Sequence, residues 1–168
     1  LFCNPDLPWQ VDQSLVDQAW AQLDIPGRQQ WRFDQHRRVL LDVGHNGEAL
    51  LSLAHSLAQS PMVNPCTGRP KKRWFLFAAM SDKPLVDMLA PIAPLADHWV
   101  VAELDQPRAA SVEQMMNAIL AHGQVCIDHE TGVNNAYNRI IELSEPGDEI
   151  VVFGSFFTVG PVLARLNQ

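Results

Sequence analysis

Positive charge is scarce in this chain: 12 lysines and arginines stand against 19 aspartates and glutamates, a formal net charge of −7 over 168 residues. Nucleic acid is therefore not an expected partner, because phosphate recognition needs a basic face. Cysteine is scarcer still. Cys3, Cys66 and Cys126 are odd in number and far apart, which fits neither a disulfide framework nor a zinc site and leaves a reducing cytoplasm as the expected compartment. No apolar run reaches the length of a transmembrane helix and no signal peptide is visible, so no membrane role is expected. Nucleotide signatures are missing too: there is no Gly-x-x-x-x-Gly-Lys phosphate loop and no obvious set of magnesium ligands. Gly44-His45-Asn46-Gly47 lacks the Gly-x-Gly-x-x-Gly spacing, which argues against a dinucleotide-binding dehydrogenase. His36, His55, His98, His122 and His129 lack ligand spacing and read as ordinary surface or hydrogen-bonded histidines. The chain begins at Leu1 without methionine, so a piece of something longer is expected.

What is present suffices for one packed domain. Apolar residues make up 47% of the chain and charged residues 18%, a balance that argues against disorder. Strand-like runs at 38–43, 73–79, 98–103, 124–127 and 149–154 alternate with helical patterns, and 29–34 reads as a short edge strand. Leu50, Leu53, Ala54, Leu57 and Ala58 form one apolar stripe. Val112, Met115, Met116, Ile119 and Leu120 form another, behind a Ser111–Gln114 capping box. Val133, Ala136, Tyr137, Ile140 and Ile141 form a third, and Pro84 opens a shorter helix over 84–91. Val16, Ala19, Trp20 and Leu23 place a helix over 11–23, and the proline-rich segment 60–72 reads as a surface loop. The run Lys71-Lys72-Arg73 that leads from it into the next strand reads as a solvated strand entry. Strands alternating with helices predict a parallel α/β sheet covered on both faces.

The most informative stretch is Val39–Leu50. An apolar run ends in Asp42, turns through Gly44, presents His45 and Asn46, turns again at Gly47 and enters a helix. In a parallel sheet the carboxyl ends of strands face ligands, and a helix N-terminus beside them offers N–H groups to anions. A carboxylate, an imidazole and an amide together there suit a nucleotide or acyl-transfer site. Turn chemistry alone, with Asn46 as an N-cap, is the competing reading. The alternation also puts Met80–Lys83, Glu103–Arg108 and Gly154–Phe156 after strand ends, on the same edge as Asp42–Asn46.

The hexapeptide Asp42–Gly47 resembles the Asp-x-Ala-His-Asn-Pro motif in the C-terminal domain of Mur-type ligases, particularly the bifunctional dihydrofolate synthase/folylpolyglutamate synthases. Four further segments resemble that family in order: Pro26-Gly27-Arg28, Met80-Ser81-Asp82-Lys83, Pro107-Arg108-Ala109 and Val152–Val159, the last matching Gly-Ser-Phe-His-Thr-Val. Gly44 stands where Ala is usual, Gly47 where Pro is usual, and Phe157 where His is usual, so Phe157 receives no catalytic role.

The resemblance implies a Rossmann-like, mostly parallel sheet of about six strands covered by helices on both faces, over residues 28–168. Residues 1–27 would be the tail of a preceding ATPase domain plus the hinge. The implied activity is ATP-dependent amide ligation, adding L-glutamate to dihydropteroate and to folate through an acyl phosphate. ATP and Mg²⁺ are the implied cofactors, with the phosphate loop and magnesium ligands in the N-terminal ATPase domain. Implied partners are dihydropteroate or folate, L-glutamate, ATP and that ATPase domain, in a cytoplasmic monomer. By the same resemblance Arg28 and Asp42 would contact ATP, Arg28 on phosphate and Asp42 on ribose or adenine, since a carboxylate is an acceptor only. His45 and Asn46 would face the reacting carboxylate and the incoming amine. Lys83, Arg108 and Ser155 would hold the glutamate, and all are expected in one cleft. Alone, the fragment is expected to fold without turnover. A peptidoglycan Mur ligase and a non-catalytic binding domain are the alternatives; the Gly-Ser-Phe…Thr-Val ending favours the folate branch.

Overall fold

The computed structural model describes residues 25–63 and 68–168. Cys3, Cys66, the helix expected over 11–23 and part of the 60–72 loop lie outside them. The described chain runs β1 (Gln30–Asp34), β2 (Arg37–Asp42), α1 (Gly47–Ala58), β3 (Arg73–Phe77), α2 (Leu85–Leu89), a 3₁₀ turn (Ala93–Leu95), β4 (His98–Glu103), α3 (Val112–Leu120), β5 (Cys126–Thr131), α4 (Val133–Leu143), β6 (Glu149–Phe153) and α5 (Phe156–Leu166).

Gln35 and His36 both adopt positive φ, 44° and 65°, the backbone a two-residue turn needs to join twisted antiparallel strands. Thus β1 folds back on β2. Every later pairing is parallel, and the sheet order is β1-β2-β6-β3-β4-β5. The last strand is threaded between β2 and β3. α1, α2 and α3 pack in succession and α4 packs against α5; the right-handed rule for parallel crossovers puts the two groups on opposite faces. β6 is thereby flanked on both sides by strands whose helices cover the opposite face, which opens crevices at its carboxyl end.

Apolar strands and helix stripes meet over most of the predicted positions: Leu50, Leu53, Leu57, Met115, Ile119, Tyr137 and Ile140 are fully buried, whereas Ala58, Met116 and Leu120, expected in the same stripes, sit at their margins and are exposed. Phe75, Phe77, Trp99 and Phe153 form an aromatic cluster with ring centroids 4.9–6.2 Å apart, mostly edge to face.

Two further expectations need correction. The fifth strand is Cys126–Thr131, not 124–127. It lies at the sheet edge, where backbone pairing with β4 suffices and polar Asp128, His129 and Glu130 are tolerated. In the basic run only Lys72 is exposed as expected. Lys71 and Arg73 are buried, and both reach Glu149, which has no exposed surface: Lys71 Nζ donates to Oε2 at 2.8 Å and Arg73 Nε to Oε1 at 2.7 Å. Ser60 Oγ adds a bond to Oε2 at 2.7 Å. Burial alone would push the Glu149 carboxyl up, but the Lys71 and Ser60 hydrogen bonds and the Arg73 and Lys71 charges hold it below the usual carboxylate range.

Candidate functional site

The first turn is built around Asp42. The carboxylate is 4% exposed and accepts two backbone bonds, from Gln29 N at 3.0 Å and Gly44 N at 2.5 Å. Burial pushes this carboxyl up, while the two N–H bonds and the Arg28 charge oppose the rise. Val43 N donates to Gly27 O at 2.7 Å, tying the Pro26–Arg28 segment to the strand end. A Cβ on Gly44 would sit 2.6 Å from Asp42 Oδ1, so the glycine lets the carboxylate fold onto its own turn. His45 is half-buried with Nδ1 3.0 Å from Val43 O. A carbonyl only accepts, so in the neutral ring Nδ1 carries the proton and Nε2 keeps its lone pair.

Asn46 caps α1, its side-chain oxygen accepting from Ala49 N at 2.9 Å. The competing reading of Asn46 is thus realised, which leaves its amide N–H₂ as the group it can offer an anionic ligand. Gly47 follows at the first helical position, with no atom within 4 Å of a Cβ built on it. Asn46 is extended, at φ −146° and ψ 167°, as a residue before proline must be. Gly47→Pro should therefore stabilise the chain by about 0.4–1 kcal/mol through the unfolded state. A rise of roughly 1–4 °C in melting temperature is expected; a fall would show that the helix start cannot accept the ring.

The other turns are stitched together. Ser81 donates from both N and Oγ to Arg108 O, at 2.9 and 3.2 Å, and Ala110 N donates to Ala79 O at 2.9 Å. After β6, Gly154 has φ 111° and packs against Ala78 O. Ser155 then caps α5, with Oγ accepting from Thr158 N at 3.1 Å and lying 2.7 Å from Thr158 Oγ1. Thr158 Oγ1 in turn donates to Ala78 O at 2.9 Å.

All seven candidate residues therefore stand on the carboxyl edge, but six of them line two cavities rather than one cleft. One, of about 190 Å³, is lined by His45, Met80, Asp82, Lys83, Arg108, Gly154, Ser155, Phe156 and Phe157. The other, of about 240 Å³, is lined by Arg28, Gln29, Asp42, Ala49 and Ser52. Ala49 and Ser52 of α1 line only the second, on the Asp42 side. Asn46 borders neither.

In the first cavity the cations Lys83 and Arg108 meet the N-terminus of α5, a setting that favours a multiply charged anion. Lys83 Nζ lies 3.4 Å from Asp82 Oδ2, so the cavity also holds one acceptor for an ammonium group. In the second, the exposed Arg28 faces solvent beside a buried carboxylate. Asp82 and Gln29 were not among the expected ligand groups. Asp82 could have been found beside Lys83 in the same turn; Gln29 carries no sequence signal. No cluster of three or more His, Cys, Asp or Glu able to hold a metal occurs among the described residues. No described helix is long and apolar enough to cross a membrane.

Known proteins share this architecture. The Mur ligase, glutamate ligase domain family model matches residues 27–156. The dihydrofolate synthase/folylpolyglutamate synthase of Escherichia coli K12 is 28% identical over 158 residues, 94% of this chain and 34% of its own length. The enzyme of the same name from Buchnera aphidicola subsp. Acyrthosiphon pisum is 23% identical over 156 residues, 93% of this chain and 35% of its own length. A crystal structure of a bifunctional folylpolyglutamate synthase/dihydrofolate synthase with Mn, AMPPNP and L-glutamate bound superposes with a TM-score of 0.76 at 28% identity, covering 97% of this chain and 36% of that one. The chain thus spans about a third of the length of these relatives. With the family model matching most of its length and the motif turns gathered on one sheet edge, this chain belongs to the Mur ligase glutamate ligase domain family.

Proposed function

We propose that residues 28–168 are the C-terminal domain of an ATP-dependent ligase that adds L-glutamate to dihydropteroate and to folate through an acyl phosphate, and that residues 1–27 belong to the preceding ATPase domain and hinge. The observation that carries this reading is the cavity where Lys83 and Arg108 converge beside an acidic Asp82 at the start of α5. Two cations and one carboxylate complement an amino acid with two carboxylates and one ammonium group. The relatives named above carry this activity in their names, and one was solved with L-glutamate.

The residues divide by cavity. Lys83 and Arg108 bind the carboxylates of the incoming amino acid, and Ser155 holds the α5 N-terminus against them. His45 lines the same cavity, and its Nε2, left free of the Val43 bond, can take a proton from the attacking amine, while Asn46 offers its N–H₂ to the reacting carboxylate. Arg28 contacts nucleotide phosphate; its guanidinium is exposed and permanently charged. Both Asp42 oxygens already accept backbone bonds, so each has one lone-pair direction left for a ribose hydroxyl or adenine amine. ATP when bound supplies the phosphoryl group that activates the substrate carboxylate. By the family resemblance, the Mg²⁺ ligands and the phosphate loop belong to the ATPase domain.

Combining this chain with its ATPase domain and following glutamate-dependent ADP release tests the reading. The joined protein should turn over and the chain alone should not. Arg28→Ala should lower kcat/KM for ATP roughly ten- to hundredfold, the loss of a charge-assisted contact of about 1.5–3 kcal/mol. Unchanged ATP use alongside a large drop in melting temperature would make Arg28 structural.

A further inference from the structure

Gln29 is an outlier beside Arg28. Its φ is 45°, the left-handed region where a side chain with a Cβ costs of order 1 kcal/mol. Three bonds hold it there. Its N–H donates to Asp42 Oδ2 at 3.0 Å. Its side-chain Nε2 donates to Ser52 Oγ at 3.1 Å, and its Oε1 accepts from Ser56 Oγ. Ser52 and Ser56 lie one turn apart on α1, so a single amide bridges the segment after the hinge to the helix that follows Asp42.

The clamp is an inefficient way to add stability. The Ser52 bond is exposed and the Ser56 bond partly so, and exposed hydrogen bonds contribute little because water competes. Their geometric effect is larger. Rotating Gln29 back to negative φ would break the bond to Asp42 and swing the preceding residue away from α1. That residue is Arg28, and Arg28, Gln29, Asp42 and Ser52 line one cavity. Gly27 is bolted on the other side, its oxygen accepting from Val43 N and its N–H donating to Gln30 Oε1 at 3.1 Å.

We propose that Gln29 is a positioning residue: its left-handed backbone and its amide clamp on Ser52 and Ser56 aim the Arg28 guanidinium over the cavity shared with Asp42. This rests on the reading of Arg28 as a nucleotide-phosphate contact. The clamp can be removed in two independent ways. Gln29→Gly accepts the backbone without strain but lacks the amide; Ser52→Ala with Ser56→Ala removes the partners and leaves residue 29 untouched.

The test is ATP titration of the 168-residue chain, followed by amide chemical shifts of residues 27–29, in the unaltered protein, both clamp variants, Arg28→Ala, and Arg28→Ala combined with Gln29→Gly. Both clamp variants should keep their melting temperature within a few degrees and bind ATP five- to tenfold more weakly. In the Arg28→Ala background Gln29→Gly should have no further effect, because what it positions is already gone. Arg28→Ala weakening ATP while the clamp variants bind normally would overturn the proposal and leave the phosphate reading intact. Full additivity of the two losses would overturn it as well. Arg28→Ala binding like the unaltered chain would overturn the phosphate reading, and a lack of any shift at residues 27–29 on ATP addition would overturn both.

Discussion

Gly154→Ala is expected to cost about 3–5 kcal/mol of unfolding free energy, a large part of what a domain of this size possesses. Two independent problems meet at this residue. A Cβ there would lie 2.3 Å from Ala78 O and 3.0 Å from the Phe77 ring, and the first of these is backbone that cannot rotate aside. The φ of 111° is also closed to residues with a side chain. Relief would need β6 and the end of β3 to separate, and these strands are paired up to Phe77 and Phe153. The loss should appear as a fall of roughly 1–3 M in the urea midpoint. A midpoint within about 0.5 M of the unaltered chain would mean the β3–β6 junction is far softer than its packing implies.

Glu149→Gln should have a comparable effect at neutral pH, with a distinctive pH signature. Removing the carboxylate leaves Lys71 and Arg73 buried without their counter-charge, and breaking a buried pair from one side costs about 3–5 kcal/mol. The carboxyl is held below its ordinary range in the folded chain. Its contribution is therefore fully present above the unfolded pKa near about 4.3 and is lost as pH falls through the lower folded value. Urea unfolding at a series of pH values should show the two proteins far apart at pH 7 and converging below about pH 4. A gap independent of pH would show that shape rather than charge makes Glu149 indispensable.

Much of the architecture was legible because the sheet is parallel and buried. Such strands are continuous apolar runs, helices carry apolar stripes, and the alternation fixes which ends point the same way. That reasoning places Asp42, Lys83, Arg108 and Ser155 on one edge before any coordinate is known. It fails where a partner is distant in sequence. Lys71 and Arg73 look solvated until Glu149 is brought to them from the far end of the chain. It fails at β5, where Val125 and Ile127 mimic a buried strand although both are exposed and the true strand continues through Asp128 and Glu130. Within the site, residue types were readable and their separation was not. Asp42 and His45, three residues apart, line different cavities, and a left-handed glutamine leaves no mark in a sequence.

The threading of β6 between β2 and β3 has a consequence for how the molecule is made. On a ribosome, β1–β2 and β3–β4–β5 emerge first, each with an open strand edge where β6 belongs. Neither half can close on the other until Glu149–Phe153 leaves the exit tunnel. For most of its synthesis the nascent chain thus carries two apolar, unpaired edges, the kind of surface that aggregates or recruits chaperones. Any premature stop upstream of β6 would release these halves with nothing to join them, so partial products of this domain should be degraded or insoluble rather than partly functional.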